Sequence, residues 1–140
     1  MADPQHVFTY GSLMFPVVWQ RVVQASYRSN EATILGFKRV RVRGEHYPAL
    51  IIDANALALR GRVYFDVSPD DIARLDHFET NDYMRVSVAV RVDGNSLAAQ
   101  AYLALKPDRL EHLDWSAEEF EQHGLEPFLA TYATTNAPLA

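Results

Sequence analysis

The sequence predicts an α+β fold in which short, mostly antiparallel strands close into a small barrel and a few helices lie outside it. Six segments are rich in β-branched and aromatic residues, helix signals lie between and after them, and Asp93-Gly94-Asn95 is typical of a tight hairpin between the last two strands. The predicted strands cover residues 6–10, 32–42, 49–52, 58–67, 84–92 and 97–105.

Four helices are predicted, at residues 15–24, 69–79, 116–122 and 127–132. The second has the clearest start, because Ser68 is a favourable N-cap, Pro69 occupies the first helical position and two aspartates follow in the first turn. The third begins at Ser116, and Gly124 is expected to end it.

Composition indicates one folded domain over residues 1–140, with a loose tail at 134–140. Hydrophobic residues make up 49% and charged residues 22%, which favours a packed core over disorder. A net charge of −5 argues against nucleic acid or an anionic membrane as the main partner. The absence of cysteine excludes disulfides and thiolate catalysis. No signal peptide or apolar run of about 18 residues is visible, so a cytoplasmic location is expected.

Residues 7–13, Val-Phe-Thr-Tyr-Gly-Ser-Leu, form the most informative segment of the chain. A strand that runs into a glycine turn and then a helix leaves backbone N–H groups unpaired, and such groups bind a carboxylate, a phosphate or an oxyanion. An ordinary glycine turn is the commoner explanation of this motif alone. Ser12 is a poor candidate nucleophile, because no Gly-x-Ser-x-Gly elbow is present.

Glu79 stands at the end of the second predicted helix, on an otherwise apolar face. Ile72 and Leu75 precede it at helical spacing, so their burial draws Glu79 towards the core or a cleft. Burial and the negative end of the helix dipole both raise a carboxyl pKa towards the range useful for proton transfer. The alternative is a frayed helix end with Glu79 in water.

Tyr83 and Arg85 follow Glu79 and point to the same side of the next strand. If that side faces Glu79, a hydroxyl and a cation flank the carboxylate; otherwise both are ordinary surface residues.

Arg39, Arg41 and Arg43 share one face of a predicted strand. An ordinary half-solvated strand is the simpler interpretation, and an anion-recognising face is the alternative. The five histidines form neither His-x-His nor His-Glu-x-x-His, so no metal site is expected.

An ordered set of short motifs resembles the gamma-glutamylcyclotransferase family, in particular its avirulence-induced-protein-like branch. The resemblance covers about residues 6–105, and Trp115 with the acidic helix after it is similar to the C-terminal extension of that branch. The motifs are residues 7–13, Tyr47-Pro48-Ala49-Leu50, Gly61-Arg62-Val63-Tyr64, Leu75-Asp76-His77-Phe78-Glu79, Tyr83-x-Arg85 and Ala101-Tyr102.

The resemblance implies a small mixed barrel with flanking helices, a helical extension at residues 106–133, and a cyclotransferase that needs no metal or organic cofactor. It implies that Glu79 is the catalytic general acid and base. It implies that a small-molecule gamma-glutamyl amide is converted into 5-oxoproline and a free amine. The residues expected to bind the substrate are Tyr10, Gly11, Ser12, Leu13, Met14, Phe15, Tyr83, Arg85 and Tyr102.

Some points stay open at this level. Some branches of the family carry an extra Asn in the loop, as Tyr-Gly-Ser-Asn-Leu, which this chain lacks. The amine half of the substrate and the oligomeric state are undefined. A non-catalytic binding module on the same barrel, or a protein-interaction domain using the arginine face or the acidic C-terminal helix, are the alternatives to an enzyme.

Overall fold

Eight strands and four helices make up the computed structural model, which describes residues 3–105, 107–111 and 113–132. The strands are β1 (Gln5–Thr9), β2 (Ser29–Ile34), β3 (Phe37–Val42), β4 (Pro48–Ile52), β5 (Leu59–Val67), β6 (Tyr83–Val92), β7 (Asn95–Ala104) and β8 (Leu110–Glu111). The helices are α1 (Pro16–Val22), α2 (Pro69–Glu79), α3 (Ala117–Glu119) and α4 (Leu125–Tyr132). Among these helices none is long and apolar enough to cross a membrane.

Five strands close a barrel in the order β1-β5-β2-β6-β7, and β7 returns to pair with β1. The β1–β7 contact is parallel and the other pairs are antiparallel, so the barrel is mixed, as the family resemblance implied. A second, three-stranded sheet has the order β4-β3-β8. The predicted class, a small and mostly antiparallel barrel with flanking helices, is therefore confirmed.

The expected single strand at residues 32–42 is wrong, and so is the expectation that all six predicted strands join the barrel. Gly36 has a φ of 83°, a left-handed conformation that breaks the strand in two. The first half, β2, pairs with β5 and β6 in the barrel, whereas the second half, β3, leaves to pair with β4.

Gly124 does not end the third helix. A short α3 continues through a π-helical turn, Phe120–Gly124, directly into α4. A Cβ added at Gly124 would lie 3.1 Å from both His46 and Phe120, so this glycine permits close packing within a continuing helix. The predicted loose tail, residues 134–140, lies outside the described residues.

The apolar core has two main parts. One is formed by the barrel strands and includes Phe8, Ile34, Val63 and Val90. The other joins the barrel to the helices and contains the residues Val7, Leu13, Val18, Trp19, Val22, Val23, Tyr64, Val67, Ile72, Leu75, Tyr102, Trp115, Phe120 and Phe128. Since both parts include residues of β1 and the turn after it, that turn has little room to shift.

Asp71 ties the end of α1 to the start of α2. The residue is 1% exposed, and its carboxylate accepts hydrogen bonds from the N–H groups of Gln24 and Ala25, from the Tyr27 hydroxyl at 2.6 Å and from Arg74 at 2.8 Å. These donors hold the pKa of Asp71 below its usual range, although burial acts in the opposite direction and is the largest single influence. Ser68 caps the same helix by accepting from the Asp71 N–H, as the sequence predicted.

We expect Asp71→Asn to lower the free energy of unfolding by about 1–3 kcal/mol at pH 7, because an amide NH₂ then faces buried donors. Asp70→Asn, in the same helical turn but exposed, is the matched control and should be near neutral. Because the native-state pKa of Asp71 is lowered, its contribution is complete above about pH 4 and is lost as the pH falls towards that native value. Urea unfolding at pH 7 and pH 3 measures this, and an equal difference between wild type and variant at both pH values would contradict it.

Candidate active site

A cavity of about 250 Å³ opens where the turn after β1 meets the C-terminal end of α2. The start of β4, Tyr102 on β7 and Phe128 on α4 complete its walls. The sequence-predicted residues that line it are Tyr10, Gly11, Ser12, Leu13, Glu79, Tyr83 and Tyr102. The fold therefore brings together two segments that are almost 70 residues apart in the chain.

Every backbone carbonyl of the loop from Tyr10 to Leu13 accepts a hydrogen bond, two from distant side chains and two from the next turn of the chain. The Tyr10 oxygen accepts from Arg39 at 3.0 Å, and the Leu13 oxygen accepts from the Tyr64 hydroxyl at 3.2 Å. The carbonyls of Gly11 and Ser12 each accept from the N–H group three residues further along, that of Met14 at 3.0 Å and that of Phe15 at 3.1 Å.

The backbone N–H groups of the same loop differ from its carbonyl groups in their hydrogen bonding. Within residues 3–105, 107–111 and 113–132, no group accepts a hydrogen bond from the N–H of Gly11, Ser12 or Leu13. All three residues line the cavity. Successive backbone donors around a concavity form an anion-binding nest, so the loop is suited to a carboxylate or an oxyanion.

Gly11 is required by the close approach of β4. A Cβ at this position would lie 2.5 Å from Cγ and 2.6 Å from Cδ of Pro48. Pro48 is also buried and lines the cavity, and its carbonyl accepts a hydrogen bond from the Tyr83 hydroxyl at 3.0 Å. The glycine turn and the Tyr47-Pro48 segment therefore form one packed unit.

Glu79 is the last residue of α2, and the burial of Ile72 and Leu75 on the same helix directs it inward. The helix ends there because Thr80 adopts a φ of 63° while its N–H donates to the carbonyls of Asp76 and His77. A non-glycine residue in this conformation fixes the point at which the chain leaves the helix. The alternative of a frayed helix end does not match this arrangement.

Burial raises the pKa of Glu79 to about 8, and the nearby negative charge of Asp76 adds to the shift. The side chain is partly buried and lines the cavity. In the part of the chain that the structure describes, no group donates a hydrogen bond to its carboxylate. A carboxyl group with a near-neutral pKa and unoccupied oxygens can exchange protons with a bound molecule.

Asp76 is held one turn before Glu79 by two neighbours. Its Oδ1 accepts from the Tyr102 hydroxyl at 2.7 Å and from Arg85 Nε at 2.9 Å. Arg85 also donates to the side chains of Gln100 and Gln5. The side chain of Asp76 is therefore held in a fixed position beside Glu79.

Three of the cavity tyrosines stay neutral, because burial raises the pKa of Tyr10, Tyr83 and Tyr102 well above the usual value and nearby carboxylates add to the effect. The Tyr10 hydroxyl donates to the Tyr102 carbonyl at 2.8 Å. Because two of these hydroxyls are bound to backbone and one to Asp76, the three residues shape the wall of the cavity.

Three of the predicted binding residues do not line the cavity: Met14, Phe15 and Arg85. Phe15 starts α1 and its ring packs against Phe120, with centroids 5.2 Å apart. Arg85 faces Asp76 and reaches the site only through that carboxylate. The cavity therefore gives these three side chains no direct place in its wall, and their contact with a ligand stays a prediction.

Sequence reasoning missed ten cavity residues, some of which lie inside motifs that it used: Phe8, Thr9, Glu45, Tyr47, Pro48, Phe78, Thr80, Asp82, Arg109 and Phe128. Arg109 pairs with Glu45 at 2.9 Å. Tyr47, Pro48 and Phe78 lie inside motifs that carry the family resemblance, so those motifs could have predicted that these residues line the site. Arg109 and Phe128 come from elements whose position depends on tertiary packing.

Arg39 and Arg41 of β3 and Arg43, which directly follows the strand, do not form a common anion-recognising face. Arg39 is occupied by Asp114 and by the Tyr10 carbonyl. Arg41 is exposed, and Arg43 donates to the backbone carbonyl of Asp108. The simpler interpretation, a half-solvated strand, fits Arg41 and Arg43, whereas Arg39 belongs to the support of the loop.

The sequence motifs implied a mixed barrel with a glycine loop and a glutamate at the end of a helix. The structure has this architecture. Comparison with known sequences agrees, because residues 7–117 match the model of the family described as gamma-glutamyl cyclotransferase, AIG2-like. The chain belongs to this family.

Relatives of known name and structure support the assignment. AIG2-like protein D of Arabidopsis thaliana is 34% identical over 127 residues, which are 88% of this chain and 83% of that protein. A solution structure of an Arabidopsis thaliana protein superposes with a TM-score of 0.70 at 28% identity, over 94% of this chain and 89% of the other. A solved structure named gamma-glutamyl cyclotransferase gives a TM-score of 0.61 at 16% identity, over 76% of this chain and 68% of the other, which shows a shared fold.

We expect the carboxyl group of Glu79 to titrate near pH 8 in carbon-detected NMR, well above the range of about 4 to 5 that is usual for a glutamate side chain in water. Asp76→Asn should lower that midpoint, because it removes a neighbouring negative charge. A Glu79 midpoint between 4 and 5 in the wild-type protein would contradict the buried placement of this carboxyl group.

We expect Gly11→Ala to lower the free energy of unfolding by about 1–3 kcal/mol, because the new methyl group overlaps the ring of Pro48. The cost should be smaller when the same change is made in a Pro48→Ala background, where the ring is absent. Thermal unfolding of the four proteins gives the coupling free energy. Additive effects would show that the Gly11–Pro48 approach does not limit this position.

Proposed function

We propose that this protein is a gamma-glutamylcyclotransferase, which releases 5-oxoproline and a free amine from a gamma-glutamyl amide. The observation that carries the proposal is that one cavity holds both the N–H donors of Gly11–Leu13, which no group in the described part of the chain accepts from, and a carboxyl group of near-neutral pKa. The family match and a neighbouring fold named gamma-glutamyl cyclotransferase support it. We further propose that the reaction takes place in the cytoplasm.

The loop holds the substrate in this proposal. The N–H groups of Gly11, Ser12 and Leu13 bind the substrate carboxylate or the oxyanion that develops on the γ-carbonyl, and both are ligands that fixed backbone donors stabilise. Folding the glutamyl chain so that its α-nitrogen approaches the γ-carbon makes the reaction intramolecular. Orientation of this kind lowers a barrier by several kcal/mol.

Glu79 moves the protons. Its carboxylate takes a proton from the substrate α-ammonium, and the freed nitrogen attacks the γ-carbonyl carbon to close a five-membered ring. Glu79 then returns a proton to the departing nitrogen as the original amide C–N bond breaks. Overall the α-nitrogen loses two protons and the departing nitrogen gains two, so Glu79 carries a proton between them twice, and the reaction needs no external acid, base or enzyme nucleophile. A pKa near 8 suits both halves of this cycle.

The neighbouring residues take supporting roles. Tyr83 and Tyr102 shape the cavity against the glutamyl part of the substrate. Arg85 acts at a distance, since it fixes Asp76 and thereby the electrostatic environment of Glu79. The direct contact between Arg85 and the substrate that the sequence suggested is not part of the proposal.

We expect Glu79→Gln to reduce 5-oxoproline formation by about 10²- to 10⁴-fold while the variant still folds, because the amide cannot take or return a proton. Glu118→Gln, an exposed glutamate on α3, is the matched control and should keep wild-type turnover. A panel of gamma-glutamyl amides, with 5-oxoproline measured by chromatography, gives the rates.

Two outcomes would overturn the proposal in different ways. Wild-type turnover in Glu79→Gln would remove Glu79 from the chemistry. Ligand binding by the wild-type protein with no 5-oxoproline from any member of the panel would favour a non-catalytic binding module on the same barrel.

A further inference from the structure

Arg39 makes three contacts that together span from the cavity loop to the C-terminal segment. Its Nη1 donates to the Tyr10 carbonyl at 3.0 Å, and its Nε donates to Asp114 Oδ1 at 3.0 Å. Its guanidinium carbon lies 5.2 Å from the ring centroid of Trp115. The side chain is only 13% exposed, although it lies on a strand whose next arginine, Arg41, is in solvent.

Arg39 binds the loop on the side away from the cavity. It does not line the cavity, whereas Tyr10 and Gly11 do. No described peptide bond is cis. In a trans peptide the carbonyl of one residue and the N–H of the next point in opposite directions. A hydrogen bond that pulls the Tyr10 carbonyl towards Arg39 therefore turns the Gly11 N–H the other way, towards the cavity.

We infer that Arg39 is a positioning residue, which orients the Tyr10–Gly11 peptide so that the Gly11 N–H faces the bound substrate. The inference rests on the proposed function, in which that N–H binds a carboxylate or an oxyanion. Arg39 itself touches no reacting atom. It acts through the backbone, and through it the segment at Asp114 and Trp115 supports the loop.

The contacts require arginine because three groups surround one planar guanidinium. One edge meets the Asp114 carboxylate, an Nη1 hydrogen meets the Tyr10 carbonyl, and the flat face meets Trp115. Trp115 is itself fixed, since its indole N–H donates to the His46 carbonyl at 2.7 Å. A lysine ammonium reaches one or two of these partners and lacks the flat face.

The experiment compares Arg39→Met and Arg39→Lys with Arg41→Met, a control that removes an exposed arginine from the same face of the same strand. Each protein is measured for thermal unfolding, for kcat and KM on the gamma-glutamyl amide that the wild type turns over, and for the amide resonance of Gly11 in ¹⁵N–¹H spectra. Kinetic constants are referred to folded protein.

We expect Arg39→Met to lower kcat/KM by up to about 100-fold and to shift the Gly11 amide resonance, because the peptide is no longer held in one orientation. Arg39→Lys should restore part of the lost kcat/KM and bring the Gly11 amide resonance part of the way back. Arg41→Met should match the wild type in kcat/KM and in the Gly11 resonance. A fall in kcat indicates that the Gly11 N–H stabilises the developing oxyanion. A rise in KM indicates that it binds the carboxylate of the bound substrate. Either result supports the inference.

Wild-type kcat and KM in Arg39→Met would overturn the inference, even if the melting temperature falls, because a purely structural role changes stability alone. An unshifted Gly11 amide would overturn it independently of any activity. Failure of the proposed function looks different: the wild-type protein then forms no 5-oxoproline, whereas the Gly11 resonance still reports whether Arg39 holds the peptide.

Discussion

The carbonyl groups of the loop from Tyr10 to Leu13 are all bound on the protein side, and the rest of the site depends on this constraint. Two long-range side chains, Arg39 and Tyr64, bind the first and last of them, and local backbone bonds bind the other two. The N–H groups are therefore left for the cavity. Gly11 is possible in this loop only because it has no side chain to meet Pro48.

Glu79, which also lines the cavity, is positioned by the helix that it ends. Apolar residues of α2 draw it inward, and the conformation of Thr80 ends the helix at that residue. The side chain of Asp76 is held next to Glu79 by hydrogen bonds from two partners. The same packing that positions the carboxyl group also raises its pKa, so geometry and proton affinity have one physical cause.

Local patterns predicted most of the secondary structure, including the cap at Ser68 and the hairpin at residues 93–95, because both depend on neighbouring residues. The loop and Glu79 were also visible as patterns. The features that the sequence could not show depend on tertiary structure. Gly36 splits one apparent strand between two sheets, and Gly124 allows a helix to continue. The role of Arg39 depends on a carboxylate 75 residues away, which no spacing rule anticipates.

The central claim is that the loop and Glu79 act on one bound molecule, and a crystal structure of the Glu79→Gln variant with an unreacted gamma-glutamyl amide tests it most directly. The account predicts a substrate carboxylate or carbonyl oxygen within hydrogen-bond distance of the Gly11–Leu13 N–H groups, with the α-nitrogen beside the side chain at position 79. A ligand bound away from this cavity, or bound in it with no contact to those N–H groups, would contradict the account.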